Sequence, residues 1–217
     1  MNIKKIAQLV GLAAAIGGSA AAHATVVNFN DQGNNYGNTN FVSDGFRFST
    51  SSPFGSVFTT SSQVCSPACP VSGSVELLIP YGPSTVTLTA ANGSPFDLTN
   101  FLAAGTFNLS SWGPNYDPTT ITITGHLVTG GTVTESFGIA SSGNGALPFT
   151  LESANASFTN LSSVTFTSSG SDFPIYNGFA LDDVNVTAVP ENSSTALMLA
   201  GLGLVGLVAR RRKARAA

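Results

Sequence analysis

The chain has 217 residues and a formal charge of −3, but apart from Arg47 its basic residues sit at the two ends: Lys4 and Lys5 at the start, Arg210, Arg211, Arg212, Lys213 and Arg215 at the finish. Residues 25–189 therefore set ten carboxylates against one base, a body of about −9. Without clustered Lys or Arg it has little with which to neutralise phosphates, which makes nucleic acid and anionic membrane surfaces poor partners and leaves cations and neutral glycans.

From the start of the chain, Lys4 and Lys5 precede an apolar stretch from Ile6 to Ile16, which closes on small residues at Ala22-His23-Ala24. A basic start, a short apolar centre and an A-x-A close make a signal peptide over residues 1–24, helical while in the membrane, with cleavage after Ala24. Signal peptidase and the Sec machinery are then its first partners. The alternative, a buried N-terminal helix, would need an amphipathic stripe and a cap, whereas this segment is apolar on every side and basic only at its start.

Residues 25–189 are long enough for one domain with a sizeable core. They read as Ser, Thr, Gly and Asn with Val, Ile and Phe at every second position, the alternation of half-buried strands. Predicted strands, in order, are Val26–Phe29, Gly45–Ser49, Val75–Ile79, Thr85–Thr89, Thr106–Ser110, Thr120–Leu127, Thr132–Ile139, Phe149–Glu152, Val164–Ser168 and Gly178–Thr187. Asn30–Asn40, polar and rich in Gly and Asn, reads as a long surface or ion-binding loop. Around ten strands with turn residues between them predict an all-β fold, an antiparallel β-sandwich of the jelly-roll kind.

Cys65 and Cys69 enclose Ser66-Pro67-Ala68 and predict a local disulfide, since export leads to an oxidising compartment. A metal pair is the alternative, but no further Cys exists and His126, the only histidine after residue 24, is distant in sequence. Trp112-Gly113-Pro114-Asn115-Tyr116 puts the single Trp near a Tyr in a turn-rich stretch, making Trp112 and Tyr116 a candidate platform for sugar faces, with core packing as the alternative. Thr129-Gly130-Gly131-Thr132, set between two alternating runs, predicts a hairpin. In the last strand, Phe179 and Leu181 share one parity while Val184 and Val186 share the other, so a β-bulge is predicted across Asp182-Asp183.

Catalysis finds little support. No G-x-S-x-G or activated Cys is present, and neighbouring Asp182 and Asp183 would point in different directions on a regular strand, a poor acid/base pair. The expectation is a protein that is not an enzyme. A secreted carbohydrate-binding module and a glycan-acting hydrolase are the alternatives.

After Val189 come Pro190-Glu191-Asn192, small polar residues, an uncharged apolar run from Ala196 to Ala209, and the basic stop Arg210-Arg211-Arg212-Lys213. At about 1.5 Å per residue that run reaches roughly 21 Å, short of the roughly 30 Å hydrocarbon core, so it is a marginal permanent anchor. The basic end stays cytoplasmic and leaves the domain outside. Gly201-Leu202-Gly203-Leu204-Val205-Gly206 matches a dinucleotide-binding pattern, but no strand-turn-helix unit can follow, so the glycines belong to a membrane segment.

This three-part tail, residues 190–217 with a transmembrane helix over 194–209, resembles the PEP-CTERM sorting signal, whose members carry Pro-Glu-Pro where this chain has Pro190-Glu191-Asn192. The resemblance implies an exosortase as processing partner and a place in the cell envelope, on the surface or in the extracellular matrix, after transient anchoring in the inner membrane. The body is similar to galactose-binding-like or carbohydrate-binding-module-like sandwiches found in such proteins. The segments that carry this are Val27-Asn28-Phe29-Asn30-Asp31, Thr120 to Gly131, Phe158 to Phe166, and Phe179-Ala180-Leu181-Asp182-Asp183-Val184. That likeness implies association with extracellular polysaccharide and a structural calcium shared by first and last strands, on Asp31 and Asp183. Calcium takes six to eight hard oxygens, which Asp182 or Asp183 with Asp31, Asn30 and backbone carbonyls would provide.

Overall fold

The computed structural model describes residues 23–52, 55–59, 70, 72–106, 118–139 and 147–189. Within them lie thirteen strands: β1 Ala24–Val27, β2 Asn35–Asn38, β3 Asn40–Ser43, β4 Phe46–Thr50, β5 Ser56–Thr59, β6 Glu76–Ile79, β7 Thr85–Ala90, β8 Phe96–Gly105, β9 Thr120–Leu127, β10 Thr132–Gly138, β11 Thr150–Ser153, β12 Leu161–Ser169 and β13 Phe179–Ala188. One short 3-10 turn, Pro174–Tyr176, precedes β13. All pairings between strands are antiparallel. The predicted all-β class is therefore what forms, while the two flanking helices fall outside the described residues.

The main path of neighbours runs β2-β5-β6-β13-β8-β12-β7-β4-β3, with β1 on β13, β11 on β8, and β10 on β9, which pairs β12. A single pair, Leu161 with Phe96, joins β12 to β8. On one side of this seam lie β12, β7, β4, β3, β9 and β10; on the other lie β8, β13, β6, β5, β2, β1 and β11. Both sides send apolar residues into one core, among them Phe48, Leu88, Ile123 and Phe166 from the first and Phe58, Leu77, Phe101 and Phe179 from the second. That is a sandwich-like arrangement, and it follows from the period-two alternation.

Phenylalanine dominates the packing. Phe29 is fully buried, with ring centroids 5.1 Å from Phe48, 6.3 Å from Phe41 and 6.2 Å from Phe58. Phe41 stacks on Phe48 at 5.3 Å and meets Phe58 edge-on at 4.6 Å. Phe29 holds a left-handed backbone, φ 56°. Few residues of its shape adopt that region, so burial holds it there against local preference.

The β9–β10 hairpin forms as predicted. Gly130 and Gly131 take φ of 90° and 87°, and Gly130 N donates to Leu127 O at 3.0 Å. The register then runs unbroken from Thr132 opposite His126 to Gly138 opposite Thr120. Four strands go beyond the sequence reading. β2 lies inside the stretch expected to be a loop, Asn30–Asn40, because its pairing with β5, rather than an apolar alternation, makes it a strand. β3 and β5 are short and were hidden by neighbouring turn residues. β8 occupies Phe96–Gly105, whereas the strand predicted there was Thr106–Ser110; Thr106 is a buried bend whose hydroxyl donates to Ile79 O at 2.9 Å, and residues 107–110 lie outside the described residues.

Where β6 hands over to the loop before β13, backbones approach closely. A Cβ on Gly178 would stand 2.6 Å from both Ile79 O and Pro80 O. Gly178→Ala must push these backbones apart and is expected to cost about 1–3 kcal/mol, read as a lower denaturation midpoint at unchanged slope in urea. An unchanged midpoint would refute the tight approach.

Candidate functional site

The predicted bulge is present and it organises the site. Pairing of β13 with β8 shifts register between Asp182 and Asn185 and again between Asn185 and Val186. Phe179 and Leu181 enter the core before the shift, Val184 and Val186 after it. Asp183 absorbs the change in a left-handed conformation, φ 44°, and its backbone N–H donates to Asp182 Oδ1 at 2.8 Å. Asn185 Nδ2 bridges to Asn100 Oδ1 at 2.7 Å across the irregularity.

Asp182 is 0% exposed, and so is Glu76 at the start of β6. The strands pair through Leu181 opposite Leu77, so the two acids occupy the next position along on neighbouring strands. β6 reads Glu-Leu-Leu-Ile and is buried on both faces: Leu77 and Ile79 belong to the main core, Leu78 to a smaller cluster with Ala104 and Ala180. By alternation Glu76 shares the side of Leu78. Two carboxylates thus meet beneath a covered face.

Hydroxyls partly satisfy them. Ser74 Oγ donates to Asp182 Oδ2 at 2.6 Å, while Ser72 donates its N–H to Glu76 Oε2 at 3.0 Å and its hydroxyl at 3.3 Å. Glu76 Oε1 is buried and has no hydrogen-bond partner. Burial, more than the nearby Asp182 charge, pushes the Glu76 carboxyl from 4.5 up to about 7, against the lowering effect of Ser72. Asp182 is also pushed up, again chiefly by burial. An oxygen of this kind, ionisable and unpaired in the interior, is costly unless a proton or a cation joins it.

The segment 72–75 ties this pair to the first loop, since Asn30 Oδ1 accepts from Val75 N at 3.1 Å. Asp31 follows Asn30, is exposed, and accepts from Ser43 Oγ at 2.6 Å. Asp182 and Asp183 are thus brought to the bulge together, with Asp31 one residue from a contact to the same segment. Among the described residues no three His, Cys, Asp or Glu side chains form a group that could hold a metal ion. Asp182 and Glu76 are two carboxylates only, so a cation here would need its remaining oxygens from other groups. Sequence reasoning passed over Glu76; its signal was a lone acid opening an otherwise apolar strand.

Of the remaining predicted residues, Ala24 opens β1, opposite Thr187. Ala22, Cys65, Cys69, Trp112, Tyr116, Pro190, Glu191, Arg210, Arg211, Arg212 and Lys213 lie outside the described residues. Among the described residues no helix is long and apolar enough to cross a membrane. His126 sits on β9 opposite Thr132 and Ser163.

The geometry defines an all-β antiparallel domain with a buried carboxylate pair at a bulge in its last strand. At the end of this domain, residues 188–213 match the family model of the PEP-CTERM protein-sorting motif, so the chain carries that sorting signal. No curated protein matches the sequence. Among solved structures, the chain is similar to the carbohydrate-binding module TmCBM61 in complex with β-1,4-galactotriose, at 10% identity and TM-score 0.40, over 68% of this chain and 90% of that one. It is also similar to the CBM22-1 and GH10 modules of Clostridium thermocellum xylanase 10B complexed with xylohexaose (13%, TM-score 0.38, 77% of this chain and 28% of that one). An agarase, AgWH50C, matches at 11% and TM-score 0.36 over 69% of this chain and 23% of the enzyme.

Proposed function

We propose that this is an exported, non-catalytic protein of the cell envelope or extracellular matrix, delivered by an exosortase and associated there with extracellular polysaccharide. The observation that carries this is the sorting motif over 188–213, which begins where β13 ends: Val189 N still donates to Pro95 O at 3.0 Å. A signal peptide cleaved after Ala24 starts the route, the apolar segment 194–209 holds the chain in the inner membrane, and exosortase recognition at Pro190 and Glu191 releases it. We read the body as a jelly roll carrying a local Cys65–Cys69 disulfide.

Calcium stabilises the body in this reading. Asp182 and Glu76 supply the buried carboxylates, and Asp31 and Asp183 are the acids nearest along the chain to the first loop and the bulge. The ion would neutralise charge that burial alone leaves costly, in a domain with one compensating base.

Sorting is tested by fractionating cells that express the full chain with and without exosortase. A shorter form at the surface or in the medium is expected when the enzyme is present. Without it, or with Pro190→Ala and Glu191→Ala together, an inner-membrane precursor should accumulate. Identical size and location under all conditions would sink the proposal.

A further inference from the structure

The strands β10-β9-β12-β7-β4-β3 send one set of side chains into the phenylalanine core and the other outward. The outward set is built of hydroxyls in register. Thr134 lies opposite Thr124, Thr124 opposite Thr165, Thr165 opposite Thr87, Thr87 opposite Ser49, and Ser49 opposite Asn40. The adjacent row repeats the pattern through Ser136, Thr122, Thr167 and Thr85. Neighbouring hydroxyls are already joined, Thr122 to Ser136 at 2.8 Å and Thr124 to Thr134 at 3.3 Å.

Charge avoids this face. Among the described residues none of the carboxylates of this acidic body projects from it; Glu135 of β10 turns the other way and accepts from Asn155 N at 2.9 Å. Among the described residues Arg47 is the one full charge at its outward positions, and its guanidinium donates to Asn40 Oδ1 at 3.2 Å. High β-propensity alone explains Thr on strands, but an ordinary solvated sheet face would also carry Lys and Glu.

We propose that this face lies against neutral, hydroxyl-rich polysaccharide. The inference rests on the polysaccharide association proposed above and gives it a location other than the Trp112–Tyr116 stretch. Three costs of contact are low here. No carboxylate has to be stripped of water, short Thr and Ser side chains lose little rotamer freedom, and the paired hydroxyls are held in place before the partner arrives. Each hydroxyl also competes with water, so one contact adds about 0.5–1.5 kcal/mol at most. Among the described residues the outward positions of these strands carry His126 but no Phe, Tyr or Trp ring to grip an isolated sugar, so holding depends on many contacts at once. The partner is thus a broad polymer surface rather than a free oligosaccharide.

The test is retention of the full chain, in mild detergent, on agarose beads and on swollen cellulose, with alginate beads as the anionic control. Retention on a neutral polymer is expected, with no competition from its short oligosaccharides. Thr87→Glu with Thr165→Glu should lower retention at least tenfold, and so should the more exposed pair Thr134→Glu with Ser136→Glu, whose melting curve checks folding. Loss of binding in the edge pair with an unchanged melt supports the face. If the wild type binds and these variants bind equally, or binding is lost on Trp112→Ala alone, the face is refuted while the polysaccharide association stands. Preference for alginate refutes the neutral partner, and absence of binding to both neutral polymers overturns the association and the face together.

Discussion

Replacing Phe29 with alanine is expected to cost the domain about 3–5 kcal/mol, the range for emptying a fully buried aromatic site. In a domain of this length each kcal/mol moves the midpoint by about 2–4 °C, so thermal melts should fall by roughly 6–20 °C. The size follows from position: Phe29 touches Phe41, Phe48 and Phe58, and the rings around it are themselves in contact. Its backbone offers an internal control. At φ 56° an L-residue is strained and glycine is not, so Phe29→Gly should be less damaging than Phe29→Ala by about 1 kcal/mol despite removing one more carbon. Equal losses would show that no such strain exists.

Glu76→Gln is expected to have the opposite sign in the absence of calcium. The wild-type carboxyl titrates at about 7 in the folded protein against 4.5 when unfolded. Between those values the folded state binds more protons than the unfolded one, so stability falls as pH rises through this window and is flat above it. A shift of this size corresponds to roughly 3 kcal/mol at its upper end. With EDTA present, wild-type melting should therefore drop from pH 5 to pH 8, while Glu76→Gln stays level and melts higher at pH 8. Calcium should raise the wild-type midpoint, increasingly so through pH 7 as the ligand deprotonates, by about 2.7 kcal/mol at a hundredfold excess over Kd. The Gln variant should barely respond. A wild-type midpoint that climbs with pH in EDTA, or equal calcium responses, would overturn the role given to Glu76.

How far such features could be read in advance depended on whether local pattern or distant pairing decided them. The β9–β10 hairpin was legible because Gly130-Gly131 permits the turn by itself and both flanking runs alternate. The bulge was legible because a swap of parity between Leu181 and Val184 has no other simple cause. The same swap hid β8. Phe96 and Leu98 face the core, then Phe101 and Ala103 do, so the alternation fails in the middle of a ten-residue strand. β2 offers no alternation at all, since Asn35-Tyr36-Gly37-Asn38 becomes a strand only through β5. For the site, Asp182 and Asp183 were found from the bulge, but Glu76 becomes visible only when β6 is set beside β13 and covered.

The union of β1 with β13 has a kinetic consequence for folding. Ala24 to Val27 find their ladder partners only at Val184 to Thr187, so the earliest segment to emerge waits for the latest. Until then its amide edge stays open and the sandwich stays unlatched. Once the final strand arrives, Thr25, Val26 and Val27 pair with Val186, Asn185 and Val184 and the seam closes. Closure of the front edge is thereby timed by arrival of the last strand.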